Sequence, residues 1–280
     1  MSTGWVAGLL PRAAAGLEAF SAQARARLQA APVAHFDETG ARVAGKLHWV
    51  HVAGTQGLTL FHLDRRRGKT AMDAAGVLPG FEGVAVHDGL AAYRNYDVAH
   101  GLCGAHHLRE LIGMTQTTGQ QWAAGLTELL TEMQRQVVAA KAEGKQRLTV
   151  RKLVGFRRKY RALLAEGKRQ NPPPPRTGKR GRPALGPAGS LLRRLDEYQD
   201  DVLRFAHDFA VPFDNNQAER DIRMVKLQQK ISGGWRTTEG AEAFLAVRSY
   251  LSTAHKQGHN AMTALRDLFN GSPWLPEPTT

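Results

Sequence analysis

The chain has 280 residues, 42% of them apolar, which is enough to bury one large core or two small ones, and no apolar run is long enough for a membrane span. Its one cysteine, Cys103, excludes an internal disulfide and favours a reducing compartment. The net charge of +13 favours a polyanionic partner such as a phosphate backbone.

The first 103 residues predict a mixed β-sheet with helices packed on it. Residues 1–32 are Ala-rich and predict one or two helices, without the compact apolar core of a signal peptide. Short strands are predicted at 33–38, 47–52 and 58–63, a helix at 70–78, a strand at 83–87, a short helix at 90–95 and a strand at 99–103. We expect five strands in the order 3-2-1-4-5 with helices packed on them.

A helical and strongly basic region follows. Helices are predicted at 106–114, 120–142 and 148–165, and again from Ser190 to 207, with a stiff proline run at 171–175 between them. Residues 141–182 carry fifteen basic and two acidic side chains, which accounts for the whole positive excess. This excess favours nucleic-acid binding, and the alternative is a solvated helix pair without a partner. We therefore divide the chain into a helical segment at 1–32, an α/β domain at 33–270 interrupted by a basic helical insertion at 115–207 with a mobile linker at 167–188, and a tail at 271–280.

The stretch from 211 to 223 predicts a helix start of unusual chemistry. Asp214 and Gln217 are spaced as a capping box. An apolar stripe follows at helical spacing, and Glu219 lies beside it at the edge of the expected core. Cations line the flank, namely Arg220, Arg223 and Lys226. A simpler interpretation is an exposed Glu219 paired with Arg223 one turn later.

Two upstream aspartates change that balance. Asp37 is expected at the end of the first strand and Asp88 at the end of the fourth, so both carboxylates would lie at the same edge of the sheet. Three carboxylates converging with Glu219 repel each other unless a cation lies between them. Oxygen ligands favour Mg²⁺ or Mn²⁺, and two such ions suit phosphoryl transfer on nucleic acid. Individually, each aspartate is also explained as a turn residue before Gly40 or Gly89.

An ordered set of motifs resembles the DDE transposases of the insertion-sequence-66 family. The motifs are Phe36-Asp-Glu-Thr-Gly40, His87-Asp-Gly89 with Tyr93, Cys103-Gly-Ala-His106 with Arg109-Glu110, Asp214-Asn-Asn-Gln-Ala-Glu-Arg-Asp-Ile-Arg223, and two further runs at 225–233 and 248–258. The resemblance implies a ribonuclease-H-like core, a metal-binding triad of Asp37, Asp88 and Glu219, and two Mg²⁺ or Mn²⁺ ions. It also implies cleavage and strand transfer on double-stranded DNA, at transposon ends and target, in the bacterial cytoplasm. Joining two ends requires two active sites, so we expect a homodimer or larger assembly, with companion transposition proteins as further partners and no membrane.

The chain departs from the family pattern at its start. Members usually carry a helix-turn-helix and a cysteine-rich zinc module there, and neither motif is found in these 280 residues. We therefore expect a truncated gene, a fragment or a subunit that borrows its end-recognition module. Two alternatives stay open: a non-autonomous transposase that regulates by binding DNA, and a ribonuclease-H-like nuclease.

Further side chains are candidates for supporting roles. Cys103 and His106 are spaced like half a zinc site, but no second pair follows, and His106 is instead a candidate for the active site or a core histidine. Arg180 and Arg182 resemble an AT-hook, although an unspecific basic linker is the simpler interpretation. Trp235 stacks on a base or, more simply, packs in the core. Active-site support is assigned to His106, Asn215, Asn216 and Arg223, and DNA binding to Arg157, Arg158, Lys159, Lys179, Arg180, Arg182, Lys226, Lys230 and Arg236.

Overall fold

The backbone contacts divide the chain into two units, Met1–Ala99 with Asn215–Thr280, and His100–Asp214. The computed structural model describes residues 3–174 and 185–276, with side chains from residue 8 onward. The boundary between the two units, after Ala99, falls inside the last strand of the sheet. Among the described residues, none of the helices combines the length and the apolar character that crossing a membrane requires.

The first unit is built on a mixed five-stranded sheet with flanking helices. Its elements are α1 Thr3–Ala15, α2 Glu18–Gln29, β1 Val33–Val43, β2 Lys46–Gly54, β3 Thr59–Asp64, α3 Lys69–Ala75, β4 Val84–His87, β5 Ala99–Leu102, α9 Asn216–Ser232, α10 Thr238–Lys256 and α11 Ala261–Phe269, with 3₁₀ turns at Leu78–Gly80 and Ala91–Asn95. The strand order is β3-β2-β1-β4-β5. β1 is antiparallel to β2 and parallel to β4, and β2 is antiparallel to β3. This order, with helices flanking the sheet, confirms the predicted α/β fold class.

The first strand is longer than the sequence predicted. β1 passes straight through Gly40, which pairs with Trp49, and ends at Val43 opposite Lys46. The chain reverses instead at Ala44 and Gly45, both with positive φ, which is the two-residue loop that suits the twist of a β-hairpin. The predicted end of this strand near Asp37, and a turn there before Gly40, are therefore wrong.

The two faces of the sheet bury different side chains. Alternate residues of β1, including Ala41 and Val43, pack with α9, whose apolar stripe Ala218, Ile222 and Val225 is fully buried. The opposite face carries Phe36, which packs with side chains from α3 and the segment before β5. Because side chains alternate along a strand, neighbouring residues of β1 serve opposite faces of the sheet.

Helix α10 covers the edge of the sheet formed by β3. The backbone N–H of Thr59 donates to the Thr253 hydroxyl at 3.0 Å, which itself donates to the Thr59 carbonyl at 3.1 Å. The N–H of Phe61 donates to the Ser249 hydroxyl at 2.9 Å. These bonds satisfy backbone groups of the edge strand β3 that would otherwise be free to pair with another chain.

The second unit, His100–Asp214, is mainly helical in its described part, apart from the residues of β5. Its helices are α4 Gly104–Thr118, α5 Gln121–Ala142, α6 Val150–Gln170, α7 Pro187–Glu197 and α8 Gln199–His207. Its core is apolar and includes Trp122 and Tyr160, whose hydroxyl donates to the Leu195 carbonyl at 2.8 Å. The helix expected to be capped by Ser190 starts earlier, at Pro187, and is interrupted at Tyr198, so that prediction is wrong in detail.

Candidate active site

Asp37 and Asp88 occupy equivalent register positions, Asp37 within β1 and Asp88 just after the parallel strand β4. The register of β1 and β4 pairs His35 with Val86, and each aspartate follows its member of that pair by two residues. Asp37 is still within β1, where its Oδ1 accepts the N–H of Glu38 at 2.8 Å. Asp88 lies in the turn after β4, where its Oδ1 accepts the N–H of Leu90 at 3.0 Å. Both carboxylates are thereby held at one end of the β1–β4 pair.

The surroundings of Asp37 disfavour its charge. The pKa of this carboxyl is raised to about 7, chiefly by burial; the charges of Glu38 and Asp88 contribute to the increase, whereas the backbone bond from Glu38 and the nearby Lys226 oppose it. Near neutral pH the carboxyl therefore holds a proton for much of the time unless a cation replaces it. This accumulation of negative charge suits a divalent cation and its oxygen ligands.

Asn215 joins the start of α9 to β1. Its side chain is almost fully buried; Oδ1 accepts from His35 Nδ1 at 2.9 Å, and Nδ2 donates to the Phe36 carbonyl at 2.8 Å. The helix begins at Asn216, so its N-cap residue is Asn215, one residue after the predicted cap Asp214, and Asn215 makes no side-chain capping bond. The amide is committed to β1 instead, one residue before Asp37.

Glu219 lies in the first turn of α9, half-buried beside the core residue Ala218. It is thus on the helix that packs on the Asp37 face of β1. Within the described residues, the carboxylates of Asp37, Asp88 and Glu219 do not all come within 4.8 Å of one another. The fold brings two of them to one strand end and carries the third on the adjoining helix.

Asp221, two residues further along α9, serves a different purpose. Its side chain is only 7% exposed and accepts from Lys256 at 2.7 Å. The amide of Gln217 donates to both carboxylate oxygens at 3.3 Å. These partners occupy Asp221 on the side of the helix away from Glu219, so it does not compete as a metal ligand.

The candidate supporting and DNA-binding residues are spread over both units. On α9, Arg223, Lys226 and Lys230 are exposed, and at about 100° per residue they point within about 40° of Glu219. Asn216 and Arg236 are exposed in the same unit. In the second unit His106 is half-buried on α4, Arg158 and Lys159 are exposed on α6, and Arg157 pairs with Asp200 at 2.5 Å. Lys179, Arg180 and Arg182 lie outside the described residues.

Trp235 is a packing residue, in agreement with the simpler of its two interpretations. Its backbone N–H donates to the Arg42 carbonyl at 2.8 Å, and its backbone carbonyl accepts the Ala44 N–H at 2.9 Å. Its ring lies 5.5 Å from that of Phe244. These contacts fix the end of α9 against the β1–β2 hairpin.

Sequence reasoning missed the part played by Glu38. This glutamate follows Asp37 but points to the opposite face of the sheet, where its side chain is fully buried. It accepts hydrogen bonds from Arg67 and Tyr93, which are far along the chain. Burial and the Glu38 charge raise the pKa of Tyr93 well above its ordinary value, so its hydroxyl stays a donor. An acidic residue on the same strand face as Ala34 and Phe36 was the available signal, but it did not indicate a partner.

The strand order, the parallel β1–β4 pair that carries two aspartates, and the late helix that carries a glutamate define a ribonuclease-H-like fold. Comparison with protein families agrees: the model described as Transposase IS66 family matches residues 1–243. The chain belongs to the IS66 family of transposases. A search of curated proteins finds no match.

Proposed function

We propose that this chain is the catalytic domain of a DDE transposase that cleaves DNA strands and transfers them in a metal-dependent reaction. The observation that supports the proposal is the β1–β4 register, in which Asp37 and Asp88 lie at one end of the strand pair, together with α9, the Glu219 helix, which packs on the Asp37 face of β1. Family membership supports a transposase role. The catalytic domain is proposed at 33–270, with the insertion at 115–207.

The donor chemistry fits divalent ions of the magnesium type. Asp37, Asp88 and Glu219 offer carboxylate oxygens only, and the pKa of Asp37 is raised chiefly by burial and also by the nearby charges of Glu38 and Asp88. Two bound Mg²⁺ or Mn²⁺ ions would supply positive charge to the attacking and leaving oxygens of an in-line displacement. The three carboxylates are the proposed ligands.

Other side chains would hold and orient the substrate. Lys226 and Lys230 are exposed on the Glu219 side of α9, where they would pair with phosphates beside the scissile bond. Asn215 fixes the start of that helix to β1. Water would attack a phosphodiester at the transposon end and release a 3′ hydroxyl, which would then attack target DNA and form one phosphodiester as another breaks.

The basic helix α6 is proposed as a sequence-independent DNA contact. Arg151, Lys152, Arg158 and Lys159 are exposed, and their seven-residue repeats return to nearly the same helical angle. Such a stripe binds phosphates and releases counterions. Joining two ends would require at least a dimer, and companion proteins remain proposed partners.

Strand cleavage by three single variants tests the triad. Asp37→Asn, Asp88→Asn and Glu219→Gln preserve side-chain shape while removing one ligand charge, so each should abolish Mg²⁺- or Mn²⁺-dependent nicking of duplex DNA. Matched controls are Asp97→Asn and Glu242→Gln, both exposed in the same unit, which should nick at the wild-type rate. Wild-type activity in any triad variant that binds DNA normally would remove that residue from the site.

A further inference from the structure

A network of hydrogen-bonded side chains centred on Glu38 lies on the face of the sheet opposite Asp37. The Glu38 side chain, 0% exposed, is its hub. Arg67 donates to Oε1 from Nε at 2.9 Å and from Nη2 at 2.7 Å. Tyr93 donates its hydroxyl to Oε2 at 2.9 Å. Both oxygens of this carboxylate are therefore occupied, and its position is set from two directions.

Tyr93 connects the Glu38 network to the turn that carries Asp88. Its ring stacks on that of His87, with centroids 4.3 Å apart and planes inclined by 23°. His87 Nδ1 accepts the N–H of Gly89 at 3.0 Å, which assigns the proton of a neutral ring to Nε2. These two contacts thus hold His87 and Gly89, the residues on both sides of Asp88. Gly89 has φ 99°, a conformation that glycine adopts without strain.

We propose that Glu38 and Tyr93 are positioning residues of the metal site: their hydrogen bond fixes the Asp88 turn against β1 and so sets the spacing between Asp37 and Asp88. The proposal rests on the proposed function, in which these aspartates are ligands. Groups that orient metal ligands without touching the ion commonly change metal affinity by about 10–100-fold when removed.

The chemistry of the Glu38 network favours a positioning role over simple stabilisation. Burying a carboxylate is costly, and well-packed apolar side chains of the same volume often stabilise a core as well or better. A hydrogen bond specifies distance and direction, which an apolar contact does not. Here the specified distance joins the residue after Asp37 to the segment after Asp88.

Tyr93→Phe is the test, because it keeps the ring and its stacking on His87 and removes only the hydroxyl. Manganese binding is measured directly, by titrating Mn²⁺ against its free electron-spin-resonance signal, and again as the Mn²⁺ midpoint of DNA nicking. We expect both midpoints to rise about 10-fold or more, with nicking largely restored at saturating Mn²⁺. Arg67→Lys, at a half-exposed position, gives a second variant and should shift the midpoints in the same direction.

Tyr96→Phe is a matched control. Its hydroxyl donates to Asp73 at 2.8 Å, so it is also a tyrosine–carboxylate bond in the same segment, but Asp73 belongs to α3 and not to the site. A purely structural role predicts that Tyr93→Phe and Tyr96→Phe both lower the melting temperature and leave the Mn²⁺ midpoints unchanged. That result would overturn the proposal.

Asp88→Asn separates failure of this proposal from failure of the proposed function. If the wild-type protein binds Mn²⁺, Asp88→Asn abolishes binding and Tyr93→Phe binds within twofold of wild type, only the positioning role is wrong. If Asp88→Asn binds Mn²⁺ as wild type does, Asp88 is not a ligand, and the positioning role falls with the triad.

Discussion

Lys256 of α10 donates its ammonium group to the carboxylate of Asp221 on α9 at 2.7 Å, with the two side chains only 12% and 7% exposed. The same ammonium donates to the carbonyls of Thr55 and Leu58, both at 2.8 Å. One cation therefore joins the helix of Glu219, its neighbouring helix and the β2–β3 turn. The arrangement needs a glycine at position 54, because a Cβ there would lie 2.7 Å from the Asp221 Oδ2.

Breaking this pair should destabilise the first unit. Burial lowers the pKa of Lys256 and the Asp221 charge opposes that shift, so each partner depends on the other. Lys256→Met leaves a buried carboxylate without its cation, and removal of one partner of such a pair costs about 3–5 kcal/mol. Urea unfolding of the full chain, followed by tryptophan fluorescence, measures the decrease in stability.

The exposed pair Lys69–Asp73, on α3, gives the comparison. Lys69→Met should destabilise the protein much less than Lys256→Met, because water screens an exposed ion pair. The double variant Asp221→Leu with Lys256→Met should recover part of the stability that Lys256→Met removes. Equal destabilisation by Lys69→Met and Lys256→Met would show that burial does not strengthen the Asp221 pair.

Thr253→Val should loosen the edge of the sheet. The valine has the shape of threonine but leaves the N–H and carbonyl of Thr59 without the hydroxyl partner, which costs about 1–3 kcal/mol. Hydrogen exchange at the Thr59 amide should accelerate, while the central strand β1 stays protected. Ser252→Ala on the same helix is the control, since its half-exposed hydroxyl has no contact with β3 among the described bonds. Unchanged exchange at Thr59 would mean that water replaces the hydroxyl.

His107 should make the second unit acid-sensitive. It is buried, and this burial, with the Arg194 charge as a smaller cause, lowers its pKa from 6.5 to about 4. Neither ring nitrogen has a hydrogen-bond partner in the described part of the chain. Above pH 6.5 the neutral ring is favoured in both states; between 6.5 and 4 the unfolded chain takes up a proton that the folded ring refuses. Stability therefore decreases as the pH falls through this window, by at most about 3 kcal/mol.

Stability measured from pH 7 to pH 4 checks the sign. The decrease on acidification should be smaller in His107→Leu than in the wild-type protein. His255→Leu, at an exposed position on α10, should follow the wild-type curve. Parallel curves for the wild type and His107→Leu would show that the buried ring does not titrate between these states.

The basic stripe of α6 should govern the salt dependence of DNA binding. Replacing Arg151, Lys152, Arg158 and Lys159 by alanine should flatten the plot of log affinity against log salt by about 0.9 for each phosphate that the protein no longer neutralises. The control is Arg135→Ala with Lys168→Ala, because these cations are paired with Glu132 and Asp196. An unchanged slope in the fourfold variant would make α6 a solvated helix.

Much of the fold followed from local patterns in the sequence. Alternating apolar residues located the strands, and the strand order with its parallel β1–β4 pair placed Asp37 beside Asp88. Helix ends were predictable where one residue decides them. Gly233 ends α9 in the left-handed conformation, and Asn260 caps α11 with bonds to Met262 and Thr263. The helix ends and the alternation within each strand depend on side chains within a few residues of each other, so the sequence alone determines them.

Only the tertiary structure decided which polar side chains meet. Glu38 and Tyr93 are 55 residues apart, Asn215 and Phe36 are 179 apart, and Lys256 and Thr55 are 201 apart. Asn215 was predicted to support the active site and Glu38 looked like one more strand residue, because nothing near them in the chain indicates which distant partner they bind. Most buried donors and acceptors have a partner, but which partner each one finds depends on how the strands and helices pack. Local periodicity therefore determined the elements of this protein, and packing determined the hydrogen bonds that hold its carboxylates in place.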